Sequence, residues 1–322
     1  MSILRKLAEY RNKQYIRILI YFILLQKIGM ELVNEACILN LIMTSIFLGE
    51  RLPAVDFDWD FIKGIALELG DKFNRDDARV LLQLSLMVTS SNTRKKPLVT
   101  PAWLQDTPIS YDGCPLKNIG VSVSKEALTE KGVLAHVFYS EKANIVFIVF
   151  TGTSNACLIG LDVEYDQTYI NELTNYSDGM KAHHGIYAGY KAVREQIIDK
   201  LQEYLPKNPR LVITGHSLGA ALANLCALDL AYYQPSNYSF AGPGIFNLEA
   251  YEAFQQLVPK AYRVANLSDI VVMTPLPIMP NKDIFYHVGE LIHFQRNYGE
   301  YSYNHSLSYV EEFQIPYTVV KN

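Results

Sequence analysis

A serine enclosed by two glycines is the part of the sequence best suited to covalent chemistry. The stretch Gly215-His216-Ser217-Leu218-Gly219 follows a short apolar, β-branched run and precedes an Ala- and Leu-rich segment. Strand, tight turn and helix are the setting in which G-x-S-x-G forms a nucleophile elbow and exposes the serine hydroxyl above a sheet edge. The pattern therefore predicts Ser217 as a nucleophile. The competing interpretation is a serine that caps the helix, with glycines that allow close packing.

A serine of ordinary pKa needs a general base, and the base needs an acid that orients it. With such an elbow the chain order is Ser, then Asp or Glu, then His. The histidines that follow the elbow are His287, His293 and His305. Asp269 comes just after the strand-like run 262–264, and the active sites of α/β sheets collect at such strand ends. The competing acids, in less strand-like surroundings, are Asp283 and Glu290.

The segments around these residues predict strands and helices in alternation. Residues 133–139 and 145–150 are apolar runs separated by five polar or small residues, as in a hairpin. Residues 76–87 begin with two acids and continue with apolar residues, which favours a helix. Residues 210–233 contain the strand, turn and helix of the elbow. The chain is therefore predicted to be α/β.

A change of composition predicts the domain boundary. Residues 90–113 are rich in Ser, Asn, Pro, Thr and Asp, which is typical of a linker or a long surface loop. We therefore assign 1–105 to a helical N-terminal region that includes a linker at 90–105, and 106–322 to the α/β domain.

The N-terminal region is both apolar and basic. Residues 18–25 and 41–48 are apolar runs too short to cross a membrane, and residues 1–30 carry six basic side chains against one acid. Two buried helices, or a segment lying on an anionic membrane surface, both fit this pattern. A cleaved signal peptide fits less well, because Arg17 interrupts the region and no small-x-small site follows. We therefore predict peripheral membrane contact through residues 1–50, and a cytoplasmic or membrane-peripheral location rather than secretion.

Composition excludes several classes of protein. With 29 basic and 33 acidic residues the net charge is −4, so no global basic field favours a nucleic-acid partner. The cysteines are Cys37, Cys114, Cys157 and Cys226. Their wide spacing gives no metal-ligand pattern and favours a reducing compartment.

Several ordered blocks resemble the class 3 lipases, the fungal triacylglycerol lipase-like branch of the α/β-hydrolases. Residues 212–223 are similar to that family's nucleophile region, and residues 148–154 to its oxyanion strand. The remaining similar blocks are 184–187, 239–243, Asp269-Ile270-Val271 with Pro275, 286–290 and 305–309. The resemblance covers roughly residues 75–315. It implies an α/β-hydrolase fold with a central, mostly parallel sheet, preceded here by a helical N-terminal segment.

The resemblance also implies the roles of individual residues. Ser217 would be the nucleophile, His305 the general base and then acid, and Asp269 its orienting partner, whereas His287 would be structural. The oxyanion would be held by the backbone N–H of Leu218 and by the N–H and hydroxyl of Thr153. No metal or organic cofactor is implied.

The sequence departs from the family pattern at two positions. Thr151 and Gly244 stand where the family usually carries arginines. Asp162 falls where the family carries an aspartate. The stretch between Thr153 and His184 begins with the apolar run 156–161 and ends with the polar run 175–179. In lipases that resemble this chain the region holds a lid, so a lid is predicted here, and an ordinary connection with a buried apolar turn is the alternative.

These features together predict a serine carboxylester hydrolase that cleaves acyl esters of lipids through an acyl-enzyme. An esterase, thioesterase or acyltransferase acting on small soluble substrates is one alternative. A noncatalytic scaffold that binds a lipid or a protein partner is another.

Overall fold

The structure is a computed structural model that describes residues 55–57, 59, 62, 66–120, 131–274 except 155 and 165, and 283–319 except 301. Within this part of the chain the strands are β1 (Val55–Phe57), β2 (Gln105–Asp112), β3 (Lys131–Ser140), β4 (Ile145–Phe150), β5 (Gln167–Tyr169), β6 (Lys181–His183), β7 (Arg210–His216), β8 (Ser236–Phe240), β9 (Ala261–Asn266), β10 (Glu290–Phe294) and β11 (Tyr317–Val319). The helices are α1 (Arg75–Thr93), α2 (Ala156–Val163), α3 (His184–Tyr204), α4 (Leu218–Asp229), α5 (Leu248–Leu257) and α6 (Ser308–Glu312). A π-helical turn, Tyr303–Leu307, runs directly into α6.

A seven-stranded sheet in the order β10-β9-β8-β7-β4-β3-β2 forms the centre of the molecule. The strands from β10 to β4 are parallel to one another, and β3 and β2 extend the sheet in antiparallel fashion. Every residue of β4 is buried, as expected for a strand covered on both faces. The predicted α/β fold and the predicted hairpin of β3 and β4 are confirmed.

Helices cover both faces of the sheet and create two apolar cores. The first core joins the sheet to α2, α3, α4 and α5, and the second joins the other face to α1 and α6. Two layers of helices around a parallel sheet bring the carboxyl ends of β4, β7 and β9 to one edge.

Helix α1 shares a core with the sheet, although the sequence places it in the N-terminal region. Asn74 caps α1 by accepting the N–H groups of Asp76 and Asp77. The Ser85 hydroxyl lies 3.3 Å from that of Thr214 in β7. Within the described residues, the predicted division at residue 105 therefore does not separate two cores.

Strand β2 occupies much of the segment whose composition indicates a loop. It pairs with β3 at the edge of the sheet, and its side chains alternate between exposed and buried toward its end. An edge strand tolerates Pro108 and several polar residues, because one side of its backbone needs no partner strand. These tolerated residues are the ones that make the segment resemble a loop.

The predictions for residues 1–54, including the apolar runs 18–25 and 41–48, lie outside the described residues. Among the helices that the structure describes, none has the length and apolar character needed to cross a membrane.

Candidate active site

Ser217 lies on a sharp turn between β7 and α4. Its backbone has φ 61° and ψ −127°, a left-handed conformation that a residue with a Cβ rarely adopts. A Cβ on Gly215 would lie 2.2 Å from the Gly219 carbonyl, so strand and helix approach too closely for any other residue there. The Ser217 side chain makes no capping hydrogen bond, so the helix-cap interpretation does not describe it. The turn instead presents the hydroxyl at the sheet edge, as an elbow requires.

The segment after β4 runs beside this turn. A Cβ on Gly152 would lie 3.1 Å from the His216 carbonyl oxygen, which shows how close the two segments are. Leu218 is the first residue of α4, where backbone N–H groups have no partner within the helix. Thr153 follows Gly152, and its hydroxyl donates a hydrogen bond of 2.6 Å to Asp162 Oδ2. The predicted oxyanion residues thus flank the serine from two segments.

His305 and Asp269 form a buried pair. His305 Nδ1 lies 2.8 Å from Asp269 Oδ2, and the two residues are 6% and 1% exposed. Asp269 also accepts the Tyr309 hydroxyl on Oδ2, at 3.2 Å, and the Val271 N–H on Oδ1. A carboxylate that only accepts hydrogen bonds requires the proton of neutral His305 on Nδ1. The other nitrogen, Nε2, is then a free base.

That second nitrogen is buried and has no hydrogen-bond partner among the described residues. An unpartnered buried acceptor is unfavourable unless it has a task. In unliganded active sites the contact between base and nucleophile is often long and tightens when substrate binds. His305 Nε2 is therefore poised to accept a proton.

The alternative histidines and acids occupy other surroundings. His287 is largely enclosed; burial, with the positive charge of Arg263, lowers its pKa to about 4. His293 is exposed on β10, and Glu290 is exposed where that strand begins. In the part of the chain that the structure describes, only Asp269 is placed as an acid partner for His305.

Asp162 adds a second carboxyl group to the site. Burial raises its pKa to about 7, although the Thr153 hydrogen bond and the positive charge of protonated His305 oppose the shift. Because α2 carries Asp162, this helix controls the orientation of the Thr153 hydroxyl. The described residues contain no group of three His, Cys, Asp or Glu side chains suited to a metal ion.

The structure shows the surroundings of both departures from the family pattern and explains the one at Gly244. Thr151 is fully buried, and its hydroxyl donates to the Gly152 carbonyl. A Cβ on Gly244 would lie 2.9 Å from the Phe285 carbonyl oxygen. This backbone contact leaves no space for an arginine side chain at position 244.

The stretch predicted as a lid forms α2, and its apolar side belongs to the first core. Cys157, Leu158 and Leu161 are buried, and a Cβ on Gly185 of α3 would lie 2.3 Å from the Leu161 carbonyl oxygen. A disulfide joins Cys157 to Cys114, 43 residues earlier. The apolar first part of the stretch is therefore a helix packed on the core, whereas movement of the stretch as a lid stays a prediction.

Comparison with known proteins identifies the family. The sequence model described as lipase (class 3) matches residues 147–279. A secreted mono- and diacylglycerol lipase A from Penicillium cyclopium is 34% identical over 116 residues, which cover 34% of this chain and 38% of that protein. A chloroplastic phospholipase A(1) DAD1 from Arabidopsis thaliana is 31% identical over 104 residues, which cover 31% of this chain and 23% of that protein. These matches place residues 147–279 in the class 3, fungal lipase-like family.

A solved structure supports the fold. The mono- and diacylglycerol lipase from Aspergillus oryzae superposes with a TM-score of 0.51 at 22% identity, over 70% of this chain and 81% of that one. The central sheet and its helices thus have the α/β-hydrolase fold. The alignments cover less than half the length of the Penicillium and Arabidopsis relatives, so their activities come to this chain only as proposals.

The predicted location is wrong. The Penicillium cyclopium relative and its counterpart from Penicillium camembertii are both named secreted lipases, which points to secretion rather than to a cytoplasmic location. The Cys114–Cys157 disulfide agrees, because such bonds persist in oxidising compartments and not in a reducing cytosol. The wide sequence separation of the two cysteines concealed the pair.

Proposed function

We propose that the protein is a serine carboxylester hydrolase that cleaves acyl esters of lipids through an acyl-enzyme. One observation carries the proposal. His305 is fixed by Asp269, its buried Nε2 has no hydrogen-bond partner among the described residues, and it lies at the same sheet edge as a serine held in a strained turn. Strain, burial and an unpaired acceptor are unfavourable individually, and they are typical of catalytic sites when they occur together.

Acylation would begin with proton transfer from the Ser217 hydroxyl to His305 Nε2. The serine oxygen forms a bond to the acyl carbon, whose carbonyl electrons move to the oxygen. When the tetrahedral intermediate collapses, the ester C–O bond breaks and the departing alcohol takes the proton from Nε2. Asp269 keeps its negative charge and stabilises the imidazolium.

Deacylation repeats these steps with water. His305 accepts one proton of a water molecule while the water oxygen attacks the acyl carbon. The bond to Ser217 then breaks, the serine oxygen recovers the proton, and the fatty acid leaves. The reaction consumes one water for each ester and needs no further reactant.

The oxyanion would be stabilised by the N–H groups of Leu218 and Thr153, each worth about 2.7 to 4 kcal/mol in the transition state. The Thr153 hydroxyl has one hydrogen, which it donates to Asp162. It can serve the oxyanion only when Asp162 is protonated and donates a hydrogen bond to the Thr153 oxygen in return. Because the pKa of Asp162 is about 7, its charged and its protonated forms are both populated near neutral pH.

Acylglycerols are the proposed substrates, because the Penicillium relatives are named mono- and diacylglycerol lipases. Phospholipids are the second candidate, because the Arabidopsis relative is named a phospholipase A(1). Peripheral contact with a lipid surface through residues 1–50 stays a prediction. Binding of liposomes by the full chain, and its loss on deletion of residues 1–50 from a protein that still unfolds cooperatively, would support it.

A fluorophosphonate probe tests the nucleophile. We expect wild type to become covalently labelled and Ser217→Ala to remain unlabelled. Ser239→Ala, which changes a buried serine of neighbouring β8, should label as wild type does. His305→Ala should abolish labelling, whereas His287→Ala should retain it. Labelling of Ser217→Ala, or none of wild type, would refute the proposed chemistry.

A substrate panel tests the class of ester. Monoacylglycerol, diacylglycerol, phosphatidylcholine and a short-chain nitrophenyl ester can be compared below and above their aggregation thresholds. We expect the highest kcat/KM for acylglycerols. Preference for the short soluble ester would instead establish an esterase, and labelling without turnover of any ester would contradict a hydrolase.

A further inference from the structure

His216, the residue before the proposed nucleophile, contacts the segment of the proposed base. It is the last residue of β7 and is 4% exposed. Its Nε2 lies 2.7 Å from the backbone carbonyl oxygen of His305. The two imidazole rings are 4.8 Å apart between centroids, and the Tyr309 ring meets His216 edge-on at 5.7 Å.

The hydrogen bond defines the state of the His216 ring. A carbonyl oxygen only accepts hydrogen bonds, so Nε2 must carry the proton. Burial, with the positive charge of protonated His305, lowers the pKa of His216 to about 3. The ring therefore stays neutral wherever the enzyme would work, and its only N–H group is committed to the His305 carbonyl.

We infer that His216 is a positioning residue that fixes the backbone of His305 relative to the Ser217 elbow. The inference rests on the proposed function and deepens it. Asp269 orients the imidazole of His305, but Asp269 belongs to the loop after β9 and does not itself connect the base to β7. The bond from His216 makes that connection one residue from the nucleophile.

The backbone around His305 makes such a connection valuable. His305 lies in the π-helical turn Tyr303–Leu307, and π turns are rare and frequent at functional sites. The His216 ring adds a hydrogen bond from outside this turn, which holds the His305 backbone against β7. Since a displacement of about 1 Å can lower a rate by about a hundredfold, loss of this bond should affect the chemical step.

The predicted effect is specific to catalysis. If the His305 turn shifts while its pair with Asp269 remains, proton transfer from Ser217 slows but substrate still binds. We therefore expect a lower kcat with little change in KM. If His216 merely packed, its substitution would lower the melting temperature rather than kcat. A side chain of similar size without a donor would then keep the wild-type kcat.

The matched variants are His216→Met and His216→Gln. Both have unbranched side chains of similar length, but only glutamine has an amide N–H that can donate to the His305 carbonyl. We expect His216→Met to lower kcat and the rate of fluorophosphonate labelling about 10- to 100-fold. His216→Gln should restore most of both rates, with KM values and melting temperatures similar for the two variants.

Several results would overturn the inference while leaving the proposed function intact. The inference is overturned if His216→Met keeps the wild-type kcat. It is also overturned if His216→Met and His216→Gln lose kcat to the same extent. Rates are normalised to the number of sites that the probe labels at completion, so poor folding is not counted as poor catalysis. If His216→Met does not fold, His216→Asn replaces it, because the shorter amide does not reach the carbonyl. An inactive, unlabelled wild type would refute the proposed function itself.

Discussion

The Cys114–Cys157 disulfide should contribute a large share of the stability of the domain. It closes a loop across 43 residues and attaches α2 to the segment before the 3₁₀ turn Pro115–Ile119. In the chain-entropy description, opening a loop of that size costs about 4 kcal/mol at 25 °C. For a domain of this size that corresponds to a fall of roughly 8 to 16 °C in melting temperature.

The perturbation is the double variant Cys114→Ala and Cys157→Ala. Alanine suits these sites, since both cysteines are buried and a serine hydroxyl would lack partners there. Thermal and urea unfolding of the variant are compared with those of wild type before and after reduction. Cys226→Ala is the control, because Cys226 is a buried free cysteine of α4 and takes no part in the disulfide.

The expected pattern has two parts. Reduction under denaturing conditions should add two titratable thiols to wild type and to Cys226→Ala, and none to the double variant. Reduction should lower the melting temperature of the first two proteins and leave the double variant unchanged. A double variant that melts within about 3 °C of wild type would refute the entropy argument. Thiols that are fully titratable without reduction would refute the disulfide and remove its support for secretion.

Two further predictions concern Asp162 and Gly215. The pKa of Asp162 is raised to about 7 from its ordinary value of 3.8, so the folded state binds the carboxyl proton more tightly than the unfolded state does. The resulting contribution to the free energy of unfolding is complete at acidic pH and is lost as the pH rises through 7. Asp162→Asn should therefore lose less stability than wild type between about pH 5 and pH 8 in urea unfolding, and parallel pH curves would contradict the shift. Gly215→Ala places a Cβ 2.2 Å from the Gly219 carbonyl and should cost about 3 kcal/mol or abolish folding. A Cβ on Gly70 meets no heavy atom within 4 Å, so the free energy of unfolding of Gly70→Ala should lie within about 0.5 kcal/mol of the wild-type value. If Gly215→Ala and Gly70→Ala changed this free energy equally, the close-packing argument would be refuted.

The sequence predicts the central elements well because their signals are local. The elbow combines an apolar strand, two glycines and a helix-forming run within about 24 residues, 210–233. The hairpin of β3 and β4 has the same advantage, since both of its strands are apolar and close together. Edge strand β2 is missed, because half of its backbone faces no neighbour and its residues carry a loop-like composition.

The site is predictable in its parts but not in its connections. Asp269 follows a strand, and the structure places it 2.8 Å from His305, 36 residues later. The hydrogen bond of His216 to the His305 carbonyl and the Cys114–Cys157 pair leave no comparable sequence signal, because each joins distant segments through one contact. Buried polar contacts depend on the final packing of the chain, so residue spacing does not reveal them.

Two buried histidines illustrate how this site separates support from chemistry. Burial lowers the pKa of His183 to about 3, and the ring of His183 donates a hydrogen bond to the backbone carbonyl of Asp162. His216 is equally neutral and bonds the backbone of His305. One neutral ring thus supports the carboxyl group beside Thr153, and the other supports the proposed base. Since a neutral ring adds no charge to the pocket, both segments can be fixed in place while His305 remains the histidine placed to exchange a proton with Ser217.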